Sequence, residues 1–244
     1  MIVLFTDFGD GGPYVGQMKA VLAQHAPAVA VIDLLNDAPA FDVTASAHLL
    51  AAYMGSFSVG TIFLAIIDPT VGSAERKPVI AKVDGRYFVG PGNGLFDVVA
   101  ARGSEVQWWE IDWRPESLSH SFHGRDLFAP VAARLAMGEF PQVRLLPFPR
   151  PSVDTGDLCR IIYIDHYGNA ITGLRAGKLD RRSGLRLGET LLRYARTFSS
   201  VPHGQAFWYE NANGLVEIAA NQGHAARLLS LGLGDTITIV PELR

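Results

Sequence analysis

The stretch Thr-Ile-Phe-Leu-Ala-Ile-Ile-Asp-Pro-Thr-Val-Gly-Ser-Ala-Glu-Arg (Thr61–Arg76) decides the fold. Its first seven residues are nearly all apolar, which is typical of a strand that a parallel sheet buries on both faces. The run ends at Asp68, and ligands of open α/β sheets bind just beyond the carboxyl ends of such strands. Asp68 is therefore placed to contact a ligand, with Arg76 in the loop that follows. Read alone, Asp68 also suits the first position of an Asp-Pro turn.

The chain around this strand alternates strands with amphipathic helices. We predict strands at 1–5, 29–34 and 61–67, helices at about 14–25, 41–54 and 126–137, and a hairpin whose strands are 79–83 and 87–89. This alternation predicts the α/β class, with an N-terminal three-layer α/β/α domain and a mostly parallel sheet over residues 1–144.

The composition and the spacing of apolar residues change after residue 144. Residues 145–156 are rich in proline and read as a semi-rigid linker. Beyond them, short strand-like runs alternate with turns, which predicts a small all-β barrel domain over residues 157–244. We expect its strands at 158–164, 170–174, 185–187, 191–194, 206–210, 215–219 and 236–240.

Composition narrows the classes of partner. The 244 residues are 48% hydrophobic and carry a net charge of −3, so the chain can bury a full core and has no basic field for nucleic acid. No apolar run approaches the ~20 residues that cross a bilayer. With the single Cys159 and no signal-peptide pattern at the amino terminus, we expect a cytoplasmic protein that acts on a small molecule.

Several familiar motifs are incomplete. Asp7-Phe8-Gly9 matches the magnesium loop of protein kinases without the other kinase motifs, and the glycines beside it do not form a dinucleotide fingerprint. The histidines lack the spacing of zinc ligands, so we expect no metal site. His123 alone is compatible with a structural histidine. The loop 165–169 is compatible with an ordinary hairpin turn.

Six stretches in this order carry a stronger signal: 5–9 (FTDFG), 67–72 (IDPTVG), 90–94 (GPGNG), 122–130 (FHGRDLFAP), 164–169 (IDHYGN) and 213–219 (NGLVEIA). Together they resemble the S-adenosylmethionine hydroxide adenosyltransferase family, which is related to the fluorinating and chlorinating adenosyltransferases. The resemblance spans essentially the whole chain.

The resemblance implies an enzyme that cleaves S-adenosylmethionine with water to adenosine and L-methionine, with no cofactor. It implies that Asp68, Arg76 and His123 form the catalytic set that holds the attacking water. It also implies a homotrimer, in which the substrate lies between the α/β domain of one subunit and the β-barrel domain of its neighbour.

The remaining site residues follow from the same resemblance. Asp7, next to Phe8, matches the carboxylate that binds the ribose hydroxyls, and Phe41 falls near the sugar. The segment Glu210–Gly214 falls where the adenine edge is held. The substrate-binding candidates are Asp7, Phe8, Phe41, Asp165, Tyr167, Asn169, Glu210, Asn211 and Asn213, of which Asp165 and Asn169 match residues at the methionine end.

The choice of nucleophile depends on Asp68. The halogenating relatives carry Tyr at this position, and a carboxylate beside the nucleophile repels halide, so water is favoured. Two departures from the family pattern are Tyr167, where phenylalanine is usual, and Gly173, where many relatives have asparagine. The alternatives are a halide-dependent adenosyltransferase and a protein that binds S-adenosylmethionine or adenosine without turnover.

Overall fold

A computed structural model describes residues 1–73, 75–147 and 149–241. The chain divides into two compact units, Met1–Thr155 and Gly156–Arg244. Among the described residues, the helices are too short or too polar to cross a membrane.

The first unit is built on a seven-stranded sheet with the order β2-β1-β3-β5-β4-β6-β7. The strands are β1 Ile2–Thr6, β2 Val31–Leu35, β3 Ile62–Ile66, β4 Pro78–Val83, β5 Arg86–Pro91, β6 Val106–Ile111 and β7 Val143–Leu146. The pairings of β1 with β2 and β3, and of β3 with β5, are parallel, whereas those of β4, β6 and β7 are antiparallel. The strand predicted at 61–67 is therefore central in the parallel part.

Among the described residues of the first unit, the α-helices beside the sheet are α1 Tyr14–His25, α2 Val43–Tyr53, α3 Asp97–Arg102 and α4 Ala129–Ala136. The β3 residues Ile62, Leu64 and Ile66 share a core cluster with residues of α1 and α4. Their neighbour Phe63 is also fully buried and stacks on Phe88 at 4.9 Å. Because successive side chains of a strand point to opposite faces, the sheet is buried on both sides, and the α/β prediction is confirmed.

The helix predicted at 126–137 begins differently from the expectation. A π-helical turn, Gly124–Phe128, precedes α4. Pro130 lies in the first turn of α4 and has no backbone N–H to donate toward residue 126, so the ordinary ladder of hydrogen bonds is interrupted there.

The stretch predicted as a linker starts as a strand. Leu145 and Leu146 belong to β7, where they pair with Trp109 and Trp108 of β6. Further along, Asp97 Oδ2 accepts the backbone N–H of Ser152 at 2.5 Å. The stretch is thus attached to the first unit on both sides of Phe148, which lies outside the described residues.

The second unit is a small β-barrel. One sheet has the order β12-β13-β9-β8 and the other β11-β10-β14. The strands are β8 Leu158–Ile164, β9 Ala170–Arg175, β10 Gly184–Leu187, β11 Thr190–Leu192, β12 Ala206–Glu210, β13 Leu215–Ala220 and β14 Thr238–Val240, and a short helix, α5, spans Ala225–Leu228. Single bridges from Arg160 to Thr236 and from Tyr194 to Trp208 join the two sheets at both edges, which closes the barrel.

Gly90, in β5, provides a test of the packing between β5 and β3 in the first unit. A Cβ at Gly90 would lie 2.1 Å from the backbone oxygen of Ala65 in β3, so we expect Gly90→Ala to lower the free energy of unfolding by ~2 kcal/mol or more. The matched control is Gly16→Ala in α1, where a Cβ meets no atom within 4 Å, and which should raise stability by ~0.5–1 kcal/mol. Urea denaturation measures both; equal stabilities for the two variants would contradict the packing.

Candidate active site

The site is organised by the carboxyl ends of two adjacent strands. Thr6 of β1 lies in register with Ile66 of β3, so Asp7 and Asp68 leave the sheet at the same edge. The end of β3 is fixed from its other side, because Asn93 Nδ2 donates to the Ile67 carbonyl at 2.8 Å. Two carboxylates are therefore presented together from a rigid backbone.

Asp68 forms a nearly solvent-free ion pair with Arg76. The Arg76 Nη2 atom lies 2.8 Å from Asp68 Oδ2, and the two side chains are only 4% and 6% exposed. Neither Asp68 oxygen accepts a well-aligned hydrogen bond from the described residues. Burial raises the pKa of the Asp68 carboxyl, and the charge of Arg76 opposes that rise. Asp68 is thus a buried carboxylate beside a fixed cation, with oxygen atoms that retain capacity to accept a proton.

Arg76 also links Asp68 to His123. The same Nη2 atom donates to His123 Nδ1 at 2.7 Å, across 47 positions of sequence. An arginine can only donate, so Nδ1 must carry a lone pair and the proton of neutral His123 must lie on Nε2. Burial lowers the pKa of His123, and the positive charges of Arg76 and Arg114 lower it further. His123 is therefore a neutral imidazole.

Two local features bring these three side chains together. His123 lies immediately before the π-helical turn, and the Arg76 guanidinium packs 5.5 Å from the centroid of the Phe128 ring within that turn. Gly72 has φ +86° and approaches the strand-to-helix loop so closely that a Cβ would lie 3.0 Å from the His120 carbonyl oxygen. Glycine at this position therefore allows the loop after β3 to return toward His123.

Asp7 orders the segment that contains Phe41. Its Oδ2 atom accepts the backbone N–H of Phe41 at 3.0 Å, and Phe41 has φ 62°, an uncommon value for a bulky residue. Burial raises the pKa of Asp7, and the Phe41 hydrogen bond opposes that effect. The next residue, Asp42, caps α2 by accepting the Ala45 N–H at 2.9 Å.

These side chains line a pocket of about 340 Å³ in the first unit. Five of the predicted site residues contribute to its wall, and Arg76 lies behind two of them. The lining residues are Asp7, Phe8, Tyr14, Phe41, Ile66, Asp68, Val71, Ser121, Phe122, His123 and Gly124. The pocket therefore combines two carboxylates and an imidazole with a largely apolar wall.

Tyr14 and Phe122 also line the pocket and were not predicted as site residues. Together with Phe8 they form an aromatic group in which all three ring centroids lie 5.2–5.9 Å apart. The aromatic residues lie far apart in sequence, so no local motif indicates that they meet. Arg125 and Asp126, in contrast, pair with each other at 2.6 Å and do not line the pocket.

Three further candidates lie in one turn of the second unit. Asp165 accepts both the backbone N–H and the side-chain Nδ2 of Asn169, at 2.8 and 3.0 Å. Tyr167 is 75% exposed at the tip of this turn. Gly173 pairs with Leu158, and a Cβ at Gly173 would lie 2.5 Å from the Leu158 Cβ, so the departure to glycine fits the local packing.

The last three candidates lie at the end of β12, where Glu210 is the final residue, and in the turn that follows it, which contains Asn211 and Asn213. Asn211 Oδ1 accepts the backbone N–H groups of Asn213 and Leu215 at 2.9 and 3.0 Å. Glu210 instead contacts Arg181 at 3.3 Å on the exposed side of the strand. The turn therefore has a defined backbone that Asn211 holds.

This arrangement is suited to one class of chemistry. A carboxylate can accept a proton from water while a guanidinium and an imidazole N–H stabilise the developing hydroxide. The fold and the pocket thus define a two-unit α/β and β-barrel protein in which a carboxylate, a guanidinium and an imidazole meet at one pocket of the first unit. The chain belongs to the SAM hydroxide adenosyltransferase family, because residues 2–144 match its N-terminal domain and residues 159–238 its C-terminal domain.

Similar proteins agree with this membership. The chain is 36% identical to the (R)-S-adenosyl-L-methionine hydrolase of Salinispora arenicola, over 96% of this chain and 95% of that one. It is 32% identical to the hydrolase of the same name from Thermus thermophilus, over 98% and 99% of the two chains. A crystal structure of an uncharacterized conserved protein from Thermotoga maritima matches with a TM-score of 0.88 at 30% identity, over 98% and 100% of the two chains.

A fluorinase is more distant. That of Actinoplanes is 24% identical over 98% of this chain and 97% of its own length. The identity to these hydrolases is therefore higher than the identity to this fluorinase.

The tautomer of His123 can be measured directly. We expect ¹H–¹⁵N correlation spectra near pH 7.5 to show the Nε2–H form and a titration with a pKa below 6.5, the ordinary value of histidine. Replacing Arg76 with Gln should raise the pKa of His123, because a neighbouring positive charge is removed. The control is Lys19→Gln, which removes a cation from an exposed ion pair with Asp33. An Nδ1–H form of His123 would contradict the contact between Arg76 and His123.

Proposed function

We infer that this protein hydrolyses S-adenosyl-L-methionine to adenosine and L-methionine. The observation that carries the inference is the Asp68–Arg76–His123 contact at the wall of the pocket, with Nη2 distances of 2.8 and 2.7 Å. Family membership and the hydrolase names of the similar proteins supply the substrate and the reaction.

The proposed step is a displacement at the 5′ carbon. Asp68 accepts a proton from water, the water oxygen forms a bond to C5′, and the C5′–S bond breaks with its electron pair passing to sulfur. The sulfonium thereby becomes the neutral thioether of methionine, so the leaving group requires no general acid. The proton on Asp68 then passes to solvent, which restores the carboxylate.

Arg76 and His123 serve the nucleophile in different ways. The charge of Arg76 opposes the rise in the pKa of Asp68 that burial causes, and it lies close to where hydroxide character develops. The Nε2–H of neutral His123 can donate to the attacking oxygen and fix its direction. Positioning in line with the C5′–S bond contributes further, because it replaces a bimolecular encounter with a fixed geometry.

The charges of the pocket favour the sulfonium and disfavour a halide. Asp7 and Asp68 are both on the pocket wall, and burial weakens the screening of their charges. A cationic substrate is attracted by such a wall, while chloride or fluoride is repelled. A hydroxide formed in place from water avoids the cost of bringing an anion in from solution.

The other predicted residues are assigned to substrate binding by resemblance. We propose that Asp7 accepts hydrogen bonds from the ribose hydroxyls beside Phe8 and Phe41. We also propose a cytoplasmic homotrimer, with Asp165, Tyr167, Asn169 and the turn Glu210–Gly214 contributed by a neighbouring subunit. Sedimentation velocity tests the assembly: a species of three 26.4 kDa chains is expected, and a monomer at micromolar concentration would contradict it.

Substitution of Asp68 is the main test of the mechanism. We expect Asp68→Asn to lower kcat at least ~100-fold, because an amide cannot accept the proton of the attacking water. The matched control is Glu75→Gln, the same change of carboxylate to amide at an exposed position of the same loop, which should leave kcat within about twofold of the wild type. Chromatographic measurement of adenosine release gives both rates.

Other outcomes would redirect the assignment. Release of 5′-chloro-5′-deoxyadenosine in chloride, with little adenosine, would indicate a halide-dependent adenosyltransferase. Stoichiometric binding of S-adenosylmethionine that stays intact after long incubation would indicate a binding protein. An Asp68→Asn variant with wild-type turnover would contradict the role of Asp68 while leaving the reaction itself in place.

A further inference from the structure

Glu217 is a buried carboxylate in the barrel of the second unit. It lies in β13, opposite Tyr209 of β12 and Ile171 of β9, and is 5% exposed. Removing an ionisable group from water carries a substantial cost unless its oxygens find partners. The hydrogen-bond partners of Glu217 therefore indicate its structural role.

Each Glu217 oxygen accepts one hydrogen bond. Tyr209 Oη donates to Oε1 at 2.5 Å, and Asn211 Nδ2 donates to Oε2 at 3.0 Å. Both donors are neutral groups, so the arrangement is not an ion pair that offsets burial by direct attraction. Burial raises the pKa of Glu217, and these two hydrogen bonds oppose the rise.

The bond to Asn211 has a consequence for the backbone. Because Asn211 Nδ2 is bound to Glu217, its Oδ1 atom is directed to the other side, where it accepts the N–H groups of Asn213 and Leu215. The Asn211 backbone is also bonded across the turn, since its N–H donates to the Leu215 carbonyl at 2.9 Å. The orientation of one amide thus determines which backbone groups of the turn remain exposed.

The same carboxylate lies near the second predicted substrate turn. The negative charge of Asp165 adds to the effect of burial in raising the pKa of both Glu217 and Tyr209. The strand pairing agrees with this, because Ile218, the residue after Glu217, lies opposite Ala170, the residue after Asn169.

We propose that Glu217 is a positioning residue for substrate binding, which acts through Asn211 to hold the backbone of the Asn211–Gly214 turn in the conformation that receives the adenine edge. This inference rests on the proposed function, which assigns that turn to the nucleoside. Glu217 itself contacts no substrate. Its loss should weaken binding of the nucleoside and leave the chemical step at Asp68 unchanged.

The test compares KM, kcat and adenosine affinity in four proteins: the wild type, Glu217→Leu, Glu217→Gln and Thr172→Val. Glu217→Leu should raise KM and the Kd for adenosine about tenfold or more, with kcat within about threefold. Glu217→Gln should stay within about threefold of wild type, because its Oε1 can accept from Asn211 while its amide donates to the Tyr209 hydroxyl. Calorimetry with adenosine measures the Kd independently of turnover.

Thr172→Val separates positioning from general stability. Thr172 is fully buried in the same sheet and donates to the Val216 carbonyl at 2.9 Å, so its loss should lower Tm without changing KM. If Thr172→Val raises KM as much as Glu217→Leu does, or if Glu217→Leu leaves KM and Kd within twofold of wild type, the positioning role is overturned. A wild type that neither hydrolyses S-adenosylmethionine nor binds adenosine would overturn the proposed function as well.

Discussion

The site depends on one interaction, the ion pair of Asp68 and Arg76 at the end of β3, which is closed to solvent at both side chains. Burial by itself would favour the protonated form of the aspartate, and a protonated aspartate cannot remove a proton from water. The fixed cation of Arg76 opposes that tendency and at the same time directs a hydrogen to His123. A single guanidinium nitrogen therefore contacts the carboxylate and fixes the tautomer of the imidazole.

The fold brings this pair together through two segments, the strand β3 before Asp68 and the loop that leads to Arg76. Strand β3 lies between β1 and β5, and Asn93 holds the Ile67 carbonyl, so Asp68 starts from a fixed point. The loop that follows contains Gly72 with a positive φ and returns Arg76 to the same place. A buried carboxylate also organises the second unit, where Glu217 holds a turn through Asn211. In both units burial of a carboxylate is unfavourable by itself, but the buried carboxylate holds its neighbouring groups in one orientation.

Much of this could be predicted from the sequence, because the patterns concerned are local. The apolar run of β3, the hairpin of β4 and β5, the helix after Pro13 and the strands β8 and β12 are each encoded by consecutive residues. Strands β6 and β7 were not predicted. Strand β6 has two adjacent tryptophans and a single charged residue, and β7 has four residues beside a proline-rich stretch, so neither shows a clear alternation and their pairing with the sheet decides their structure.

The site residues can likewise be divided into those that local motifs predict and those that only long-range contacts reveal. The polar loops at strand ends and the family resemblance identified Asp7, Asp68, Arg76 and His123, but nothing in the spacing shows that one nitrogen of Arg76 contacts both partners. Tyr14, Phe122 and Glu217 were not predicted as contributors, because their roles arise from contacts between segments distant in sequence or between neighbouring strands. Long-range packing is needed to find such residues.

The central claim is that water, activated at Asp68, attacks the 5′ carbon of S-adenosylmethionine. Turnover in ¹⁸O-labelled water, followed by mass spectrometry of both products, tests it most directly. The account predicts one ¹⁸O atom in the 5′-hydroxyl group of adenosine and none in methionine. Adenosine without label, or a halogenated nucleoside as the main product in chloride, would contradict it.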